Sequence, residues 1–435
     1  MLQPGSDNAE FDVIVVGARC AGSPLALMLA RAGMRVCLVD RATFPSDTPS
    51  THGIQPCGVR ILEQLGVREA VEATTIPVED GTLAFDELRV AVTGFDRQVG
   101  APMLNVRRVS LDSILLRAAG EAGVEVRTET NVTGLVESEG RIAGVETAAG
   151  PLRASLVVGA DGARSTIARL VGAAEYSQTP ARRIFTWGYY EGVPAEGRVW
   201  LGRIGERAFL ASPTDAGLFL AAVVQPVERR RELRAERDRH YEEGLIDWPE
   251  LRDHIGAARR VGPVRMMSRW HGFFRESAGP GWALVGDAGH FKDPTPGQGI
   301  SDALRQTVEL AGAIERGLGG TTDPDAALRD WWAWRDRDAW EMYWFAAEMA
   351  SGRAPLLNRV VEERFASDPE LVEGLLHVLN HDLSPSELFR PGLGVSALAK
   401  ALARERGRRL QVLGEARTMA GEQLRRRSPP TLPNR

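Results

Sequence analysis

The chain has 435 residues, 43% hydrophobic and 26% charged, a length that suits two or three domains with ample core. A net charge of −5 and the absence of any run of about 18 apolar residues exclude a basic nucleic-acid binder and a membrane-spanning helix. Cys20, Cys37 and Cys57 have neither metal-site nor disulfide spacing, and Met1 to Glu10 is polar without a signal-peptide core, so the chain reads as cytoplasmic with no metal site.

Phe11 to Val16 is a β-branched, nearly continuous apolar run, the pattern of a strand buried on both faces. Gly17 permits a sharp turn, Ala21 to Ala32 has helix-forming composition and stops at Gly33, and a second strand from Met34 to Val39 ends in Asp40. This is a βαβ unit of the dinucleotide-binding kind. Its open helix N-terminus offers unpaired N–H groups to a pyrophosphate, and an acid about 20 residues past the glycines can bind ribose hydroxyls. Arg19 stands where the glycine-rich pattern expects glycine, so its side chain either points away from the phosphates or helps neutralise them. Cys20 reads as small filler at a helix start.

Around residues 80–106 and 176–280 the pattern turns strand-like. Phe185, Trp187 and Tyr189 alternate with Ile184, Thr186 and Tyr190, and Ala208 to Val224 reads as a hairpin about Pro213 to Gly217. Between these stretches, Leu156 to Ser165 repeats strand, tight turn and helix start, with Gly159-Ala160-Asp161-Gly162 at the turn. Trp282 to Asp287 does so again through Gly286-Asp287-Ala288-Gly289-His290, then Pro294 to Ser301 and a helix-like run to Glu315. Taken alone, each acid is a helix cap. In this order, a carboxylate at a strand end can accept from a polyol, and the amides of Gly297 to Ser301 with their helix dipole can stabilise negative charge.

Past about residue 320 the chain is helical, and the crowded Trp331, Trp332, Trp334, Trp340 and Trp344 read as core packing of a helical domain, or else as a lid over an aromatic substrate or a membrane-surface contact. The three turn motifs lie at the start, middle and two-thirds mark, so the binding domain must be discontinuous. The expected layout is 11–79, 107–175 and 281–320 for that domain, 80–106 and 176–280 for a substrate sheet, 321–424 for a helical region and 425–435 for a disordered tail. The fold class is α/β: a Rossmann-like domain with an inserted antiparallel β-sheet domain and a C-terminal helical region.

Together these segments resemble the flavoprotein monooxygenases of the p-hydroxybenzoate hydroxylase type, from Phe11 to Glu315 and more loosely beyond. The resemblance implies FAD as cofactor, NADPH or NADH as electron donor, and O2 used through a C4a-hydroperoxyflavin to hydroxylate or epoxidise an aromatic or polyketide-like small molecule. It assigns Gly17, Ala18, Cys20, Ala21, Gly22, Ser23, Asp40, Arg41 and Val132 to the cofactor. Arg108 is placed near the pyrophosphate, Asp161 in a motif serving both FAD and the pyridine nucleotide, and Asp287 at the ribitol. Pro294, Gly297, Gln298, Gly299 and Ile300 are placed by the isoalloxazine. Gly17–Pro24, Phe44–His52 and Lys292–Ala303 are similar to a branch common in bacterial secondary metabolism. The family usually has Ala where Gly289 stands and Asn where Ser301 stands. Ala168, with Arg169 one place later, occupies the position of an expected Arg, which bears on the nicotinamide contact.

His52 and Gln55 are the catalytic candidates, for acid/base work on a phenolic substrate; the alternative for His52 is a bond to a backbone carbonyl or to the flavin. Phe185, Trp187 and Tyr189 are candidates for the substrate wall, or else pack the sheet onto the flavin domain. Lys292 and Asp293 either pair with each other or face the substrate. With one dinucleotide motif present, NAD(P)H either binds transiently or is replaced by a separate flavin reductase. Halogenases of this architecture carry Trp-x-Trp-x-Ile-Pro and prenyl reductases Tyr-x-Trp-x-Phe-Pro; neither run occurs here. A dehydrogenase, oxidase or reductase stays open, as do a non-catalytic flavin-binding sensor or scaffold and the oligomeric state.

Overall fold

The computed structural model describes residues 9–50, 52–351, 356–429 and 432. β1 (Phe11–Val16) lies between two parallel neighbours, β2 (Val36–Val39) and the strand Gly150–Gly159, with Val15 opposite both Leu38 and Val158. A strand covered on both faces needs the β-branched run found there. α1 (Gly22–Arg31) buries Leu25, Leu27 and Leu29 against this sheet and gives way to Gly33 at φ 86°. β2 starts at Val36 rather than Met34, because Met34 donates its amide to Leu29 to close the helix and Arg35 donates its own to Asp12.

Trp282–Leu284 adds in parallel beyond Gly150–Gly159, and Glu125–Arg127 flanks β2. The opening residues of Gly150–Gly159 pair instead with Arg141–Thr147, which pairs with Val132–Ser138. The turns after β1, Gly150–Gly159 and Trp282–Leu284 therefore leave three adjacent parallel strands at the same carboxyl edge, where open α/β sheets bind ligands.

A seven-stranded sheet runs in the order Arg259–Met267, Arg183–Glu191, Leu218–Pro226, Arg207–Pro213, Arg198–Ile204, Asp80–Phe85, Leu88–Val92. The expected hairpin is present as Arg207–Pro213 with Leu218–Pro226. Strand alternation puts Phe185, Trp187 and Tyr189 with Leu220 and Val224 on one face, and Tyr190 with Phe219 and Val223 on the other. Leu104–Asn105 departs from the expected substrate sheet and pairs with Gly53–Ile54.

The helices Gly299–Leu318 and Pro324–Ala350 pack together over the dinucleotide side. Trp331 and Trp332 sit in the same apolar cluster as α1, and Trp340 packs with Phe274 and Tyr343, so the tryptophan-rich stretch is core. The last helix, Arg409–Arg426, overruns the expected start of the tail at 425, where the Arg425 carbonyl accepts from Trp340 Nε1 at 2.9 Å. Residues 430, 431 and 433–435 of that tail lie outside the described residues. Among the described residues no helix is long and apolar enough to cross a membrane.

Candidate functional site

A cleft of about 580 Å³ runs along the carboxyl edge of the parallel strands, lined by all three turn motifs and continued by Phe185, Trp187, Met267 and Phe291. At its first turn Gly17 adopts φ 106°, and a Cβ there would lie 2.5 Å from the Ala160 carbonyl oxygen. Only glycine lets the two loops approach so closely. Asp40 accepts the Ala18 amide on one oxygen and the Ala42 amide on the other, both at 2.8 Å, which fixes its carboxylate at the cleft edge.

Gly17, Cys20, Ala21, Asp40, Arg41, Arg108 and Val132 line the cleft as expected. Ala18, Gly22 and Ser23 do not. Ala18 spends its amide on Asp40, Ser23 is buried with its hydroxyl on the Ala18 carbonyl, and a Cβ on Gly22 would strike the Gly17 carbonyl oxygen. These three shape the turn from beneath.

Arg19 is on the cleft wall, its guanidinium tied to Asp112 and to Ser46 Oγ, each at 2.8 Å. Arg108 holds the other oxygen of the same fully buried Asp112. Burial works against the Arg108 charge, but Asp112 more than restores it. Two guanidiniums sharing one carboxylate leave net positive charge on the wall, in place of the space a glycine at 19 would give.

Asp161 lines the cleft while its carboxylate accepts from Ser165 Oγ at 2.5 Å and from the Thr166 amide at 2.6 Å, capping the short helix Thr166–Leu170. Ala168 packs into the core and Arg169 faces solvent; the cleft-side cation of this loop is Arg164, which the sequence reading passed over. Asp287 has no hydrogen-bond or ion-pair partner among the described residues. Its carboxyl opens onto the cleft and is walled by protein elsewhere; burial and nearby Asp302, opposed by Arg108, raise its pKa to about 6.

At the far end, Pro294, Gly297, Gly299 and Ile300 line the cleft at the start of the 20-residue helix Gly299–Leu318. Its first amides have no side-chain cap. Gln298 is off the wall: it donates to the Leu379 carbonyl and accepts from Lys292 Nζ, both at 2.7 Å. Lys292 also pairs with Asp302 at 2.7 Å, and His381 meets the other Asp302 oxygen at 2.9 Å. Burial works against the Asp302 charge, yet Lys292 and His381 hold its carboxyl well below the usual range.

Gln55 is also off the cleft wall. Its amide donates to Ser301 Oγ at 2.8 Å and its side chain to the Pro296 and Gly297 carbonyls at 3.3 Å, so it positions the loop. Ser301, in the usual Asn position, is small enough for Gly58 to close on it. Gly289, in the usual Ala position, leaves room for buried Arg335, whose Nη1 would be 2.7 Å from an added Cβ.

His52 lines the cleft with φ 65°, and its Nε2 lies 2.5 Å from Tyr189 Oη. Burial, reinforced by Arg108, pushes its pKa down to about 3, so the imidazole stays neutral and is a poor proton acceptor at ordinary pH. Phe185 and Trp187 form part of the wall; Tyr189 stands behind them, accepting from Trp187 Nε1 at 3.1 Å and meeting His52. Ser46, Met267, Phe291 and His381 carry no local motif, and only their contacts reveal them.

The residues fit FAD. An unpartnered carboxyl, two uncapped helix starts and a cationic wall face one elongated chamber, as a ribitol, a pyrophosphate and an electron-rich ring require. Such a crevice defines a flavin-binding oxidoreductase. Residues 10–345 match the FAD binding domain family, and the chain belongs to it. The 6-methylpretetramide 4-monooxygenase of Streptomyces rimosus is 29% identical over 332 residues, covering 73% of this chain and 78% of that protein. The tryptophan 2-halogenase of Chondromyces crocatus is 28% identical over 342 residues, 72% of this chain, which spans only 63% of that relative. In fold, the flavin-dependent brominase Bmp2 superposes with a TM-score of 0.71 at 20% identity, over 91% of this chain and 99% of that one.

Proposed function

We propose that the protein is a FAD-dependent monooxygenase that places one oxygen atom of O2 on an electron-rich aromatic or polyketide-like small molecule, with NADPH or NADH as electron donor. The observation that carries this reading is the continuity of the cleft from the Asp287 and Gly299 end to the apolar wall of Phe185, Trp187, Met267 and Phe291. When bound, FAD supplies the redox chemistry and the activation of O2. The chain's own work is to bind, orient and keep dry. Asp287 and Asp40 offer acceptors to sugar hydroxyls, Arg19 and Arg108 supply positive charge, and Gln55 fixes the Pro296–Gly297 turn. The apolar wall excludes water from the reacting end.

A halogenase reading is favoured by the likeness to the tryptophan 2-halogenase of Chondromyces crocatus and opposed by the missing Trp-x-Trp-x-Ile-Pro run. One experiment separates the two. FAD-loaded protein is reduced anaerobically with NADPH or NADH, then mixed with 18O2, bromide and 1,3-dihydroxynaphthalene. Bleaching of the visible flavin band and a product carrying one 18O are expected. A brominated product overturns the monooxygenase reading, and bleaching only with an added reductase makes the system two-component.

A further inference from the structure

Lys292 and Asp293 do not pair. Lys292 is committed to Asp302 and Gln298, which leaves the neighbouring carboxyl without a counter-ion on its own segment. Asp293 lies at the bend between the aromatic wall residue Phe291 and the Pro294 turn, 3% exposed and lining the cleft. Thr295 clamps its Oδ1 through an amide at 2.9 Å and a hydroxyl at 2.5 Å; Oδ2 has no hydrogen-bond partner among the described residues.

We propose that Asp293 is a catalytic residue that accepts the hydroxyl proton of a phenolic or enolic substrate. The inference rests on the reading of the cleft as a FAD monooxygenase site. In the step, the substrate O–H bond breaks, its proton passes to Asp293 Oδ2, and the electron pair stays on the substrate oxygen, where conjugation makes the ring carbon nucleophilic. The proton later returns to solvent.

The surroundings suit that task. Burial raises the Asp293 pKa to about 6, with the Thr295 bonds and Arg183 opposing, so the group is ionised at neutral pH yet more basic than an exposed aspartate. Arg183, on the strand Arg183–Glu191, spends its guanidinium on the Ala350 and Glu206 carbonyls at 2.8 and 2.5 Å. The other titratable groups lining the cleft include His52 and His290, both held neutral by burial, the Lys292–Asp302 pair with His381, and Asp287, which the cofactor reading commits to a sugar hydroxyl.

The test uses FAD-loaded enzyme titrated with 2-naphthol and with its methyl ether, followed by the visible spectrum of the bound flavin. Wild type is expected to favour the naphthol by about tenfold or more, the scale of a hydrogen bond to a charged group. Asp293→Asn should erase that preference while leaving ether binding unchanged. Thr295→Val, which removes one donor from the carboxylate, should keep the preference and move the acidic limb of naphthol binding to higher pH. An unchanged preference in Asp293→Asn, or a wild type that binds both probes equally or neither, overturns the proposal. Loss of FAD binding or a brominated product would instead overturn the reading beneath it, and is scored on the same preparations.

Discussion

Asp287 is the residue on which cofactor retention should turn. Losing a charged acceptor to a hydroxyl costs on the order of tenfold or more in affinity, so, with Asp287 as the proposed ribitol acceptor at the cleft wall, Asp287→Ala should weaken FAD binding by that much in a fluorescence titration. The pH dependence has a definite sign. The carboxylate accepts best when ionised, and its pKa is about 6, so wild-type affinity should fall as pH drops below that value while the variant stays flat. Gly289 carries the second expectation at this scale. A Cβ there would meet Ser277 Oγ at 2.6 Å and Arg335 Nη1 at 2.7 Å, so Gly289→Ala should cost about 1–3 kcal/mol in thermal denaturation by overpacking. The sequence pattern flags the missing alanine; it says nothing of Arg335, which arrives from 46 residues further along the chain.

At the scale of elements, the turn Leu379–Asn380–His381 after the helix Pro369–Leu379 closes the underside of the cleft. The Leu379 carbonyl accepts from Gln298, Asn380 Oδ1 accepts from the Cys57 amide at 2.6 Å, and His381 meets Asp302. His381 does this at φ 62°, a left-handed conformation that an ordinary residue holds only where its surroundings enforce it. Asp302→Asn would leave Lys292 buried without its counter-charge, and the melting transition should drop by the equivalent of about 3–5 kcal/mol. The βαβ unit and both later turns were legible in the sequence because each is a local pattern of apolar run, glycine and helix start. The Asp302–Lys292–His381 cluster was not, since its members look like surface charges until a distant helix covers them. The same holds for Gln55, expected in acid/base work, and for Gln298, which its place between two glycines put by the isoalloxazine: packing turned both side chains onto backbone carbonyls.

For the molecule as a whole, the C-terminal helix is fastened to the long helix Pro324–Ala350 near Glu348, which pairs with Arg426 at 3.4 Å. Burial, with Arg426 opposing, raises the Glu348 pKa to about 7. A group whose folded-state pKa lies above its unfolded one contributes stability that is complete below the unfolded value and is lost as pH rises through the folded one. Melting temperature should therefore decline more steeply between pH 4.5 and about 7 in wild type than in Glu348→Gln, by the equivalent of about 1–3 kcal/mol. Fold class was readable from the chain at this scale, because the order of motifs forces a discontinuous parallel sheet. The joining of the helical region to the cleft was not, because it depends on contacts between segments far apart in the chain, from 81 residues for Gln298–Leu379 to 323 for Cys57–Asn380.

The pairing of β1 with Gly150–Gly159, and of that strand with Trp282–Leu284, sets a timetable for biosynthesis. When β1, α1 and β2 leave the ribosome they hold one turn of the cleft and an unpaired edge. That edge is capped only after some 120 further residues, and the next edge only after Leu284 has emerged. Until then each exposes main-chain donors and acceptors of the kind that recruit other strands. The cofactor chamber is thus incomplete until the third of these strands has emerged. Chains truncated before Trp282 should aggregate rather than bind flavin weakly, and flavin supplied during translation should rescue only those that have passed that point.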